Sequence, residues 1–565
     1  MTSKHPDLIL RSAAVYTVDP TRSRAEAVAV ADGRIVAVGT DADVMDLQGT
    51  STSVLDLSGK MLLPGFQDSH IHPPSGGIQR RRCNLDVTED RATYLEIIRA
   101  YAEANPNEPW IRGGGWSMSS FPGGVPDKAD LDAIAPDRPV YLTNRDGHGA
   151  WVNSKALEIA GITAETPDPP RGRIERYRDG SPAGMLQENA MDLVVGHMPR
   201  IDEQEMRAGL LEAQSYLHSL GITAWQDAIV EEQQWGRSLD TYVAASERGD
   251  LTARVVGALW WRPNEGLEQV ERLIALRDRG GNQERFSPSS VKIMQDGVLE
   301  NFTGAMIDPY LDPCSASDCG HDPTNRGISM VEPELLNEAV KRLDAAGFQV
   351  HFHAIGDRAV REALDAIEGA RTANGANDLR HHIAHIQVIH PEDLPRFAAL
   401  GVTANAQPLW ASLSDQMVEL TLPFLGPERS GWQYPFASLK RSGARMAFGS
   451  DWSVSSPNPL EEMEVAVNRS LREWASESAD PRAGETFLPD ERLTLAESIE
   501  AFTMGSAFVN HLDGETGSIE IGKRADFAVV DRDLFEDETR IADAEVVMTL
   551  VEGQVVYDTG AIAGT

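Results

Sequence analysis

Cysteine is scarce in this sequence. The three cysteines, Cys83, Cys314 and Cys319, are an odd number in a chain of 565 residues. Such a set argues against a disulfide framework and favours a reducing compartment. Cys314 and Cys319 could bind a soft metal, but they have no second pair beside them, so a structural role is the simpler interpretation.

Positive charge and long apolar runs are also lacking. The formal net charge is -36, which disfavours nucleic acids and anionic membranes as partners. No uncharged stretch is long enough to span a bilayer, and residues 1–7 are polar, without the apolar core of a leader peptide. We therefore expect a cytoplasmic protein that binds neither nucleic acid nor a membrane, in which the acidity concerns solubility or a salty habitat.

The two ends of the chain share one pattern. Short strand-like runs separated by turn signals occupy about residues 8–60, and similar runs return after residue 517. Because the middle of the chain looks different, both ends together predict one small discontinuous β-sandwich domain, made of residues 1–62 and 515–565.

The middle of the chain alternates apolar strands with helical stretches, which is typical of a parallel α/β fold. The predicted strands are a first one within 62–71 and then 223–228, 253–259, 291–295, 349–354, 382–386, 402–407 and 445–449. Eight strands, with helices such as 332–346 and 358–371 between them, favour a (β/α)8 TIM-like barrel over residues 63–514. The stretch from about 77 to 205 is too long for one crossover and predicts an inserted lobe over the barrel mouth.

One short motif indicates what the barrel could do. The first predicted strand runs into His70-Ile71-His72, and two prolines follow. Side chains alternate along a strand, so His70 and His72 face the same side and could grip one metal ion. The prolines end the strand, which places both rings at a carboxyl end, where barrel enzymes hold their active sites. A lone His-x-His is common by chance, so other strands must supply further ligands.

Further candidate ligands lie at other predicted strand ends. His353 and His385 are near the carboxyl ends of the fifth and sixth strands, and Asp451 follows the eighth. Lys292 lies inside the fourth strand, where a lysine is paired with a carboxylate, extended to the rim, or modified. A single buried histidine is more often a core residue. Because these strand ends converge on one mouth, however, the set together predicts a metal site.

These residues match a known family. The sequence resembles the amidohydrolase superfamily and, within it, amidohydrolase family 3, which includes N-substituted formamide deformylases and many uncharacterised metal-dependent hydrolases. The resemblance covers nearly the whole chain and rests on residues 64–72, 146–154, 291–293, 353–359, 385–387, 449–452 and 517–526.

The resemblance implies a centre of two divalent metal ions, most often zinc. The implied ligands are His70, His72 and Asp451 for the more buried ion and His353 and His385 for the more exposed one. Lys292 would be carboxylated by carbon dioxide, and its carbamate would bridge the ions, because a carbamate offers each ion an oxygen whereas an ammonium group would repel both. If Lys292 stays unmodified, one metal is expected.

The implied reaction is hydrolysis of a non-peptide C–N bond, in an amide, N-formyl group, imide or carbamate, by metal-held hydroxide. Asp451 is the candidate general base. His148 is the candidate second electrophile, with a role in fixing its Gly-rich loop equally open. Deamination is less expected, because deaminases of this superfamily have a glutamate shortly after the fifth-strand histidine, where this chain has Ala-Ile-Gly-Asp at 354–357. Lactone or ester hydrolysis, or a catalytically silent binding or regulatory protein, stay as alternatives.

A small-molecule substrate is expected in a partly aromatic pocket. The candidate lining is Trp116, Trp151, Trp260, Trp410 and Trp452, although structural packing is common for such residues. Arg173, Glu175 and Glu188 in the lobe could recognise a polar group, but surface ion pairing is the simpler expectation. The loop over 297–326 could be a lid or plain packing, and the chain could form a homodimer.

Overall fold

Eight parallel strands form the centre of the protein. The computed structural model describes residues 5–87, 90–231, 237–281, 283–311, 324–471, 482 and 484–562, so Cys314 and Cys319 lie outside the described residues. The strands are β1 (Phe66–Ile71), β2 (Ile222–Val230), β3 (Arg254–Trp260), β4 (Phe286–Met294), β5 (Gln349–Ala354), β6 (His382–His385), β7 (Thr403–Ala406) and β8 (Arg445–Phe448). Each pairs in parallel with the next, in chain order.

The sheet nearly closes on itself at its carboxyl end. There the Asp451 N–H donates to the His70 carbonyl and the His72 N–H donates to the Trp452 carbonyl, each at a donor–acceptor distance of 2.7 Å. The predicted TIM-like barrel is therefore confirmed, with strand bounds that differ from the predicted ones by a few residues.

Helices cover the outside of the barrel. Their bounds are Pro73–Arg81, Glu203–Ser219, Ser238–Glu247, Gln269–Gly280, Pro333–Ala345, Asp357–Asn374, Leu394–Leu400, Leu422–Ser430, Phe436–Arg441, Pro459–Asn468, Leu495–Glu500 and Ser506–Val509. The helix Asp357–Asn374 shows why they form, since Val360, Leu364 and Ile367 recur at helical spacing and are all buried. No helix among the described residues is long and apolar enough to cross a membrane.

A six-stranded mixed sheet forms the lobe between the first two barrel strands. Its strands, in spatial order, are Gly172–Arg176, Pro182–Glu188, Gly149–Val152, Val140–Asn144, Ile111–Trp116 and Cys83–Asn84. The lobe helices are Arg91–Ala104, Lys128–Asp132, Ser154–Ala160 and Asp192–Val195. The sheet has its own apolar core, so this stretch is a folded unit and not an extended loop.

The ends of the chain form two further sheets, of which the first combines strands from both ends and the second contains N-terminal strands only. The strands of the first sheet, in spatial order, are Gln554–Asp558, Val546–Val551, Phe527–Val530, Met61–Pro64, Ala14–Tyr16 and Arg24–Ala25. Those of the second are Arg34–Gly39, Ala27–Ala31, Leu8–Arg11 and Ser53–Asp56. The helix Asp41–Met45 belongs to the same part of the chain. A common apolar core that includes Leu10, Val28 and Phe527 joins the two sheets. A sheet built from both ends is thus confirmed, while the exact limits at 62/63, 514/515 and about 77–205 stay predictions.

The lobe is anchored where two helices cross closely. The helix Pro73–Arg81 starts directly after His72, with prolines in its first turn, where a missing N–H costs nothing. It packs on Glu203–Ser219, and a Cβ atom on Gly77 would overlap the carbonyl oxygen of Gly209. This contact ties the entry and exit of the lobe together and holds the helix that begins at His72.

We expect Gly77→Ala to force these helices apart and lower the free energy of unfolding by about 1–3 kcal/mol, the usual cost of overpacking. Thermal or denaturant unfolding measures this. The matched control is Gly369→Ala in the helix Asp357–Asn374, where a Cβ would meet no atom within 4 Å; it should be neutral or stabilising by up to about 1 kcal/mol. Equal stability of the two variants would contradict the close crossing.

Candidate metal centre

Two histidines and an aspartate meet at the barrel mouth. Asp451 Oδ1 lies 2.9 Å from His72 Nε2 and 3.1 Å from His70 Nε2. One nitrogen or oxygen atom of each residue lies within 4.8 Å of the others, close enough to share one ion. His70 and Asp451 are buried, and His72 is half-buried. The barrel thus brings together the His-x-His pair of the first strand and the aspartate that follows the last.

The electrostatics of this cluster suit a metal ligand set. Burial, followed by the charge of Lys292, holds the pKa of His70 well below its usual value. Burial is also the main cause of the strongly lowered pKa of His353 and of His385. For Asp451, burial raises the pKa, but the hydrogen bond from His72 and the nearby imidazoles outweigh it and the pKa is lowered. Neutral imidazoles beside an ionised carboxylate are the donors that zinc takes.

Asp68, which sequence reasoning missed, fastens β1 to the segment after β8. Its Oδ1 accepts the His70 N–H at 2.9 Å, and its Oδ2 accepts the Ser450 N–H at 3.0 Å and the Ser450 hydroxyl at 2.6 Å. Asp451 itself has a left-handed backbone, with φ +57°, as does His385 with φ +75°. Non-glycine residues rarely adopt this conformation, and it is held where the surroundings over-determine it.

His353 and His385 lie beside the first group. Their ring centroids are 4.4 Å apart, and the His385 ring is 4.6 Å from that of His70. His385 Nδ1 is 4.0 Å from Asp451 Oδ2 and has no hydrogen-bond partner in the part of the chain that the structure describes. A buried ring nitrogen without a partner costs free energy unless a ligand completes it. This atom therefore fits a metal ion at the site.

Asp296 orients His353 from behind. Its buried carboxylate lies 3.1 Å from His353 Nδ1 and also accepts the backbone N–H groups of Ile355, Gly356 and Ala305. With Nδ1 held in this way, the Nε2 atom of His353 is left for the cavity. Carboxylate-backed histidines are the usual arrangement of histidine metal ligands.

Lys292 points into the cluster. Its side chain is only 2% exposed, and its Nζ lies 3.3 Å from His70 Nε2. Burial lowers the pKa of Lys292 to about 7, against the opposing charges of Asp451 and Asp227. A substantial share of the amine is therefore uncharged near neutral pH. Asp227, on β2, is itself buried and accepts a hydrogen bond of 2.8 Å from Tyr242.

The lobe contributes His148 to the same site. Its ring centroid is 5.6 Å from that of His353, and its Nδ1 lies 3.0 Å from both oxygens of Glu188. Thr303, in the loop after β4, donates to Glu188 at 2.7 Å. Burial opposes the charge on His148, but the Glu188 carboxylate outweighs it and raises the pKa of His148 to about 9. The Glu188 side chain is only 7% exposed, so surface ion pairing does not describe it.

Arg173 and Glu175, in contrast, form a partly exposed ion pair at 2.7 Å. A pair of this kind contributes little to stability and leaves no charge over for a ligand.

The tryptophans divide into two groups. Trp116 and Trp151 are fully buried, and their ring centroids are 6.2 Å apart. Both pack inside the lobe core, where backbone carbonyls accept hydrogen bonds from their indole N–H groups. Trp452 is buried against Tyr216. These three are not at the cavity, so the expected lining is corrected to Trp260 and Trp410, which do line it.

One cavity of about 680 Å³ connects the metal cluster to the lobe. Trp410 stacks on His385, with ring planes 2° from parallel and centroids 5.2 Å apart. Much of the remaining wall is apolar and comes from Ile78, Met191, Met198, Met206, Met294 and Met330. Methionine side chains adapt to irregular apolar groups, so this cavity suits a small, partly apolar molecule.

Sequence reasoning missed several buried polar groups here. Asp68, Asp227 and Asp296 each interrupt or end an apolar strand, which is an unusual place for a carboxylate. His351 lies two residues before His353, so both face the same side of β5. That spacing was visible in the sequence, but only the tertiary structure shows which partner each group meets.

Comparison with known proteins agrees with this geometry. Residues 53–557 match the model of the amidohydrolase family, Amidohydro_3. The chain is 31% identical to Protein LONG AFTER FAR-RED 3 of Arabidopsis thaliana, over 98% of this chain and 91% of that protein. It is 28% identical to N-substituted formamide deformylase of Arthrobacter pascens, over 98% of each chain.

A solved structure is also similar. It is that of an uncharacterized metal-dependent hydrolase from Pyrococcus furiosus, with 25% sequence identity and a TM-score of 0.69, covering 93% of this chain and 99% of that one.

Two buried aspartate–histidine pairs allow a matched test of the site. The Asp344 carboxylate lies 2.9 Å from His381 Nε2, an arrangement like that of Asp296 and His353. The Asp344–His381 pair, however, does not line the cavity. We expect Asp296→Asn and Asp344→Asn both to lower the melting temperature, because asparagine offers one acceptor oxygen fewer. Only Asp296→Asn should weaken zinc binding, by about 10–100-fold, measured by competition with a chromogenic chelator. Equal zinc affinity in the two variants would show that Asp296 does not support the metal site.

Proposed function

The chain belongs to the amidohydrolase family, and we propose that it is a metal-dependent hydrolase that cleaves a non-peptide C–N bond in a small, partly apolar molecule. The observation that carries the proposal is the cluster of His70, His72 and Asp451, with Lys292 aimed at it and His148 facing it across one cavity. An amide, N-formyl, imide or carbamate group is the expected target. Similarity to an N-substituted formamide deformylase supports this class of bond.

The residues present fit two divalent ions. His70, His72 and Asp451 would hold one ion, and His353 and His385 the other. Nitrogen-rich sets with a carboxylate suit zinc. When bound, such ions polarise a carbonyl oxygen and make water acidic enough to attack near neutral pH.

Lys292 is the expected bridge between the two ions. The uncharged fraction of its Nζ can attack carbon dioxide and lose a proton, which gives a carbamate with two oxygens. Carbamate formation also leaves no ammonium fraction of Lys292 beside His70, where a buried positive charge would be costly.

Asp451 is the expected general base. His70 and His72 both contact its Oδ1, so Oδ2 is the atom available to take a proton from the attacking water. Asp451 then passes this proton to the departing nitrogen as the C–N bond breaks. Its lowered pKa keeps the carboxylate ionised before each cycle.

His148 is the expected electrophile on the lobe side. Glu188 holds its Nδ1–H and keeps the ring protonated, and no described residue takes a hydrogen bond from its Nε2. This atom can therefore donate to the substrate carbonyl oxygen and stabilise the charge that develops there. The same cleft could serve a lactone or ester, whereas a deaminase would need the glutamate that residues 354–357 lack.

We expect the purified protein to hold close to two zinc ions per chain by elemental analysis. Removal of metal with a chelator should abolish hydrolysis of N-formyl and N-acyl amines, and zinc should restore it. A lactone, an aryl ester and an aminopurine, assayed alongside, test the alternatives. A protein without metal and without chelator-sensitive hydrolysis would instead be a binding or regulatory protein.

Lys292→Met tests the bridge. We expect zinc content to fall from two ions to one and kcat to fall by about 10²-fold or more, the scale of losing one electrostatic stabiliser. After incubation with ¹³C-bicarbonate, a carbamate signal in the ¹³C NMR spectrum should be present in the unsubstituted protein and absent in the variant. Lys155→Met, at a surface ion pair, is the control and should change none of these. Two zinc ions in Lys292→Met would overturn the bridging role.

A further inference from the structure

A second row of buried side chains supports the metal cluster within the barrel. Lys292 on β4, His351 on β5 and His382 on β6 are neighbours in strand register, so they face the same interior layer. The ring centroids of His351 and His382 are 4.0 Å apart. His351 Nε2 also lies 2.7 Å from Nδ1 of His70, on the opposite side of that ring from Asp451. His351 therefore touches a candidate ligand directly.

His382 is held in a single tautomer. Asn405 donates from its Nδ2 to the carbonyl oxygen of Ser69 at 2.9 Å, which fixes the orientation of its amide. The same Nδ2 lies 3.0 Å from His382 Nδ1, so Nδ1 must accept. The proton of His382 is then on Nε2, which donates to Gln226 Oε1 at 3.0 Å. Both ring nitrogens are satisfied, and His382 is a fixed structural residue.

His351 is held differently. It is fully buried, yet its Nδ1 has no hydrogen-bond partner among residues with a described position. The contact with His70 is the one hydrogen bond that the His351 ring makes to any residue the structure describes. A nitrogen–nitrogen distance of 2.7 Å needs one donor and one acceptor. Nothing except His70 therefore decides which nitrogen of His351 carries the proton.

We propose that His351 is a positioning residue that stabilises the metal-binding tautomer of His70, by accepting a hydrogen bond from His70 Nδ1–H. His70 then presents the lone pair of Nε2 to an ion beside Asp451. The inference rests on the proposed function, because His70 is a ligand only if the site holds a metal.

The geometry allows two arrangements of the same two protons. In one, His351 Nε2–H donates to His70 Nδ1, and His70 Nε2–H donates to Asp451 Oδ1 at 3.1 Å. In the other, His70 carries its proton on Nδ1 and donates to His351 Nε2, while His351 carries its own on Nδ1. In both arrangements each ring keeps one proton and stays neutral. The proton lost from His70 Nε2 is matched by the one gained on His351 Nδ1, so the pair would release no net proton on binding an ion. Because His351 Nδ1 has no described partner, the proton of this ring can lie on either nitrogen. In His382 hydrogen bonds to both ring nitrogens fix the tautomer and would prevent such a shift.

The test compares His351→Gln with His351→Met, two side chains of similar size, because the glutamine amide oxygen is a strong hydrogen-bond acceptor and the methionine sulfur only a weak one. We expect His351→Met to bind Zn²⁺ about 10–100-fold more weakly in a chelator competition, the usual effect of losing an outer partner of a ligand histidine. His351→Gln should stay within about threefold of the unsubstituted protein. The visible spectrum of the Co²⁺-loaded protein should shift in His351→Met and not in His351→Gln.

His218→Gln is the control for losing a buried histidine elsewhere. The His218 ring is hydrogen-bonded to the Ile222 carbonyl and the Thr252 hydroxyl and does not line the cavity. This variant should therefore lower the melting temperature without changing Zn²⁺ affinity or the Co²⁺ spectrum. If His351→Met does not fold, His351→Leu replaces it.

The outcomes separate the two proposals. Unchanged Zn²⁺ affinity and spectrum in the apolar variant would overturn the role of His351 while leaving the metal site intact. Equal losses in His351→Gln and His351→Met would also overturn it, since hydrogen-bond acceptance would then not matter. An unsubstituted protein that binds neither Zn²⁺ nor Co²⁺ would overturn the proposed function, and this inference with it.

Discussion

Closure of the barrel between its first and last strands is the constraint on which the site depends. The two backbone hydrogen bonds that join His70 to Asp451 and His72 to Trp452 bring residues from opposite ends of the barrel sequence into contact. The Asp68 carboxylate accepts hydrogen bonds from backbone N–H groups on both sides of this closure, those of His70 and Ser450. The candidate ligands are therefore held by main-chain geometry, and their distances do not depend on flexible side chains alone.

Burial sets the chemistry of the groups that closure assembles. A buried charge must be paired or lost, and each group at the mouth follows one of these routes. Burial holds the pKa of His70, His353 and His385 low, Asp451 keeps its charge chiefly because His72 hydrogen-bonds to it, and Lys292 is poised to change its charge. His148 is the exception, since the Glu188 carboxylate beside it keeps the ring cationic. The site thus offers an anionic base on the barrel side and a cationic donor on the lobe side.

Barrel and lobe have separate tasks in this arrangement. The barrel carries the candidate metal cluster, and both barrel and lobe lie within residues 53–557, which match the family. The lobe carries His148, Glu188 and two of the wall methionines, Met191 and Met198, and it is joined to the barrel through Thr303 and the close crossing at Gly77. Function resides in sites built on folds, so the choice of substrate is expected to follow from the lobe and the loops that meet it.

The amino-acid sequence alone determined the fold class and the main candidate ligands. Apolar strands alternating with helical stretches indicate a barrel, and because its strand ends must converge, His70, His353 and Asp451 can be grouped from the sequence. Only the tertiary structure decided which buried groups pair with one another and which aromatic residues reach the cavity. Trp116 illustrates why, because nothing in its local sequence tells a lobe core from a cavity wall. His351 illustrates the same limit, since its partner across the barrel depends on long-range register, which local propensity does not encode.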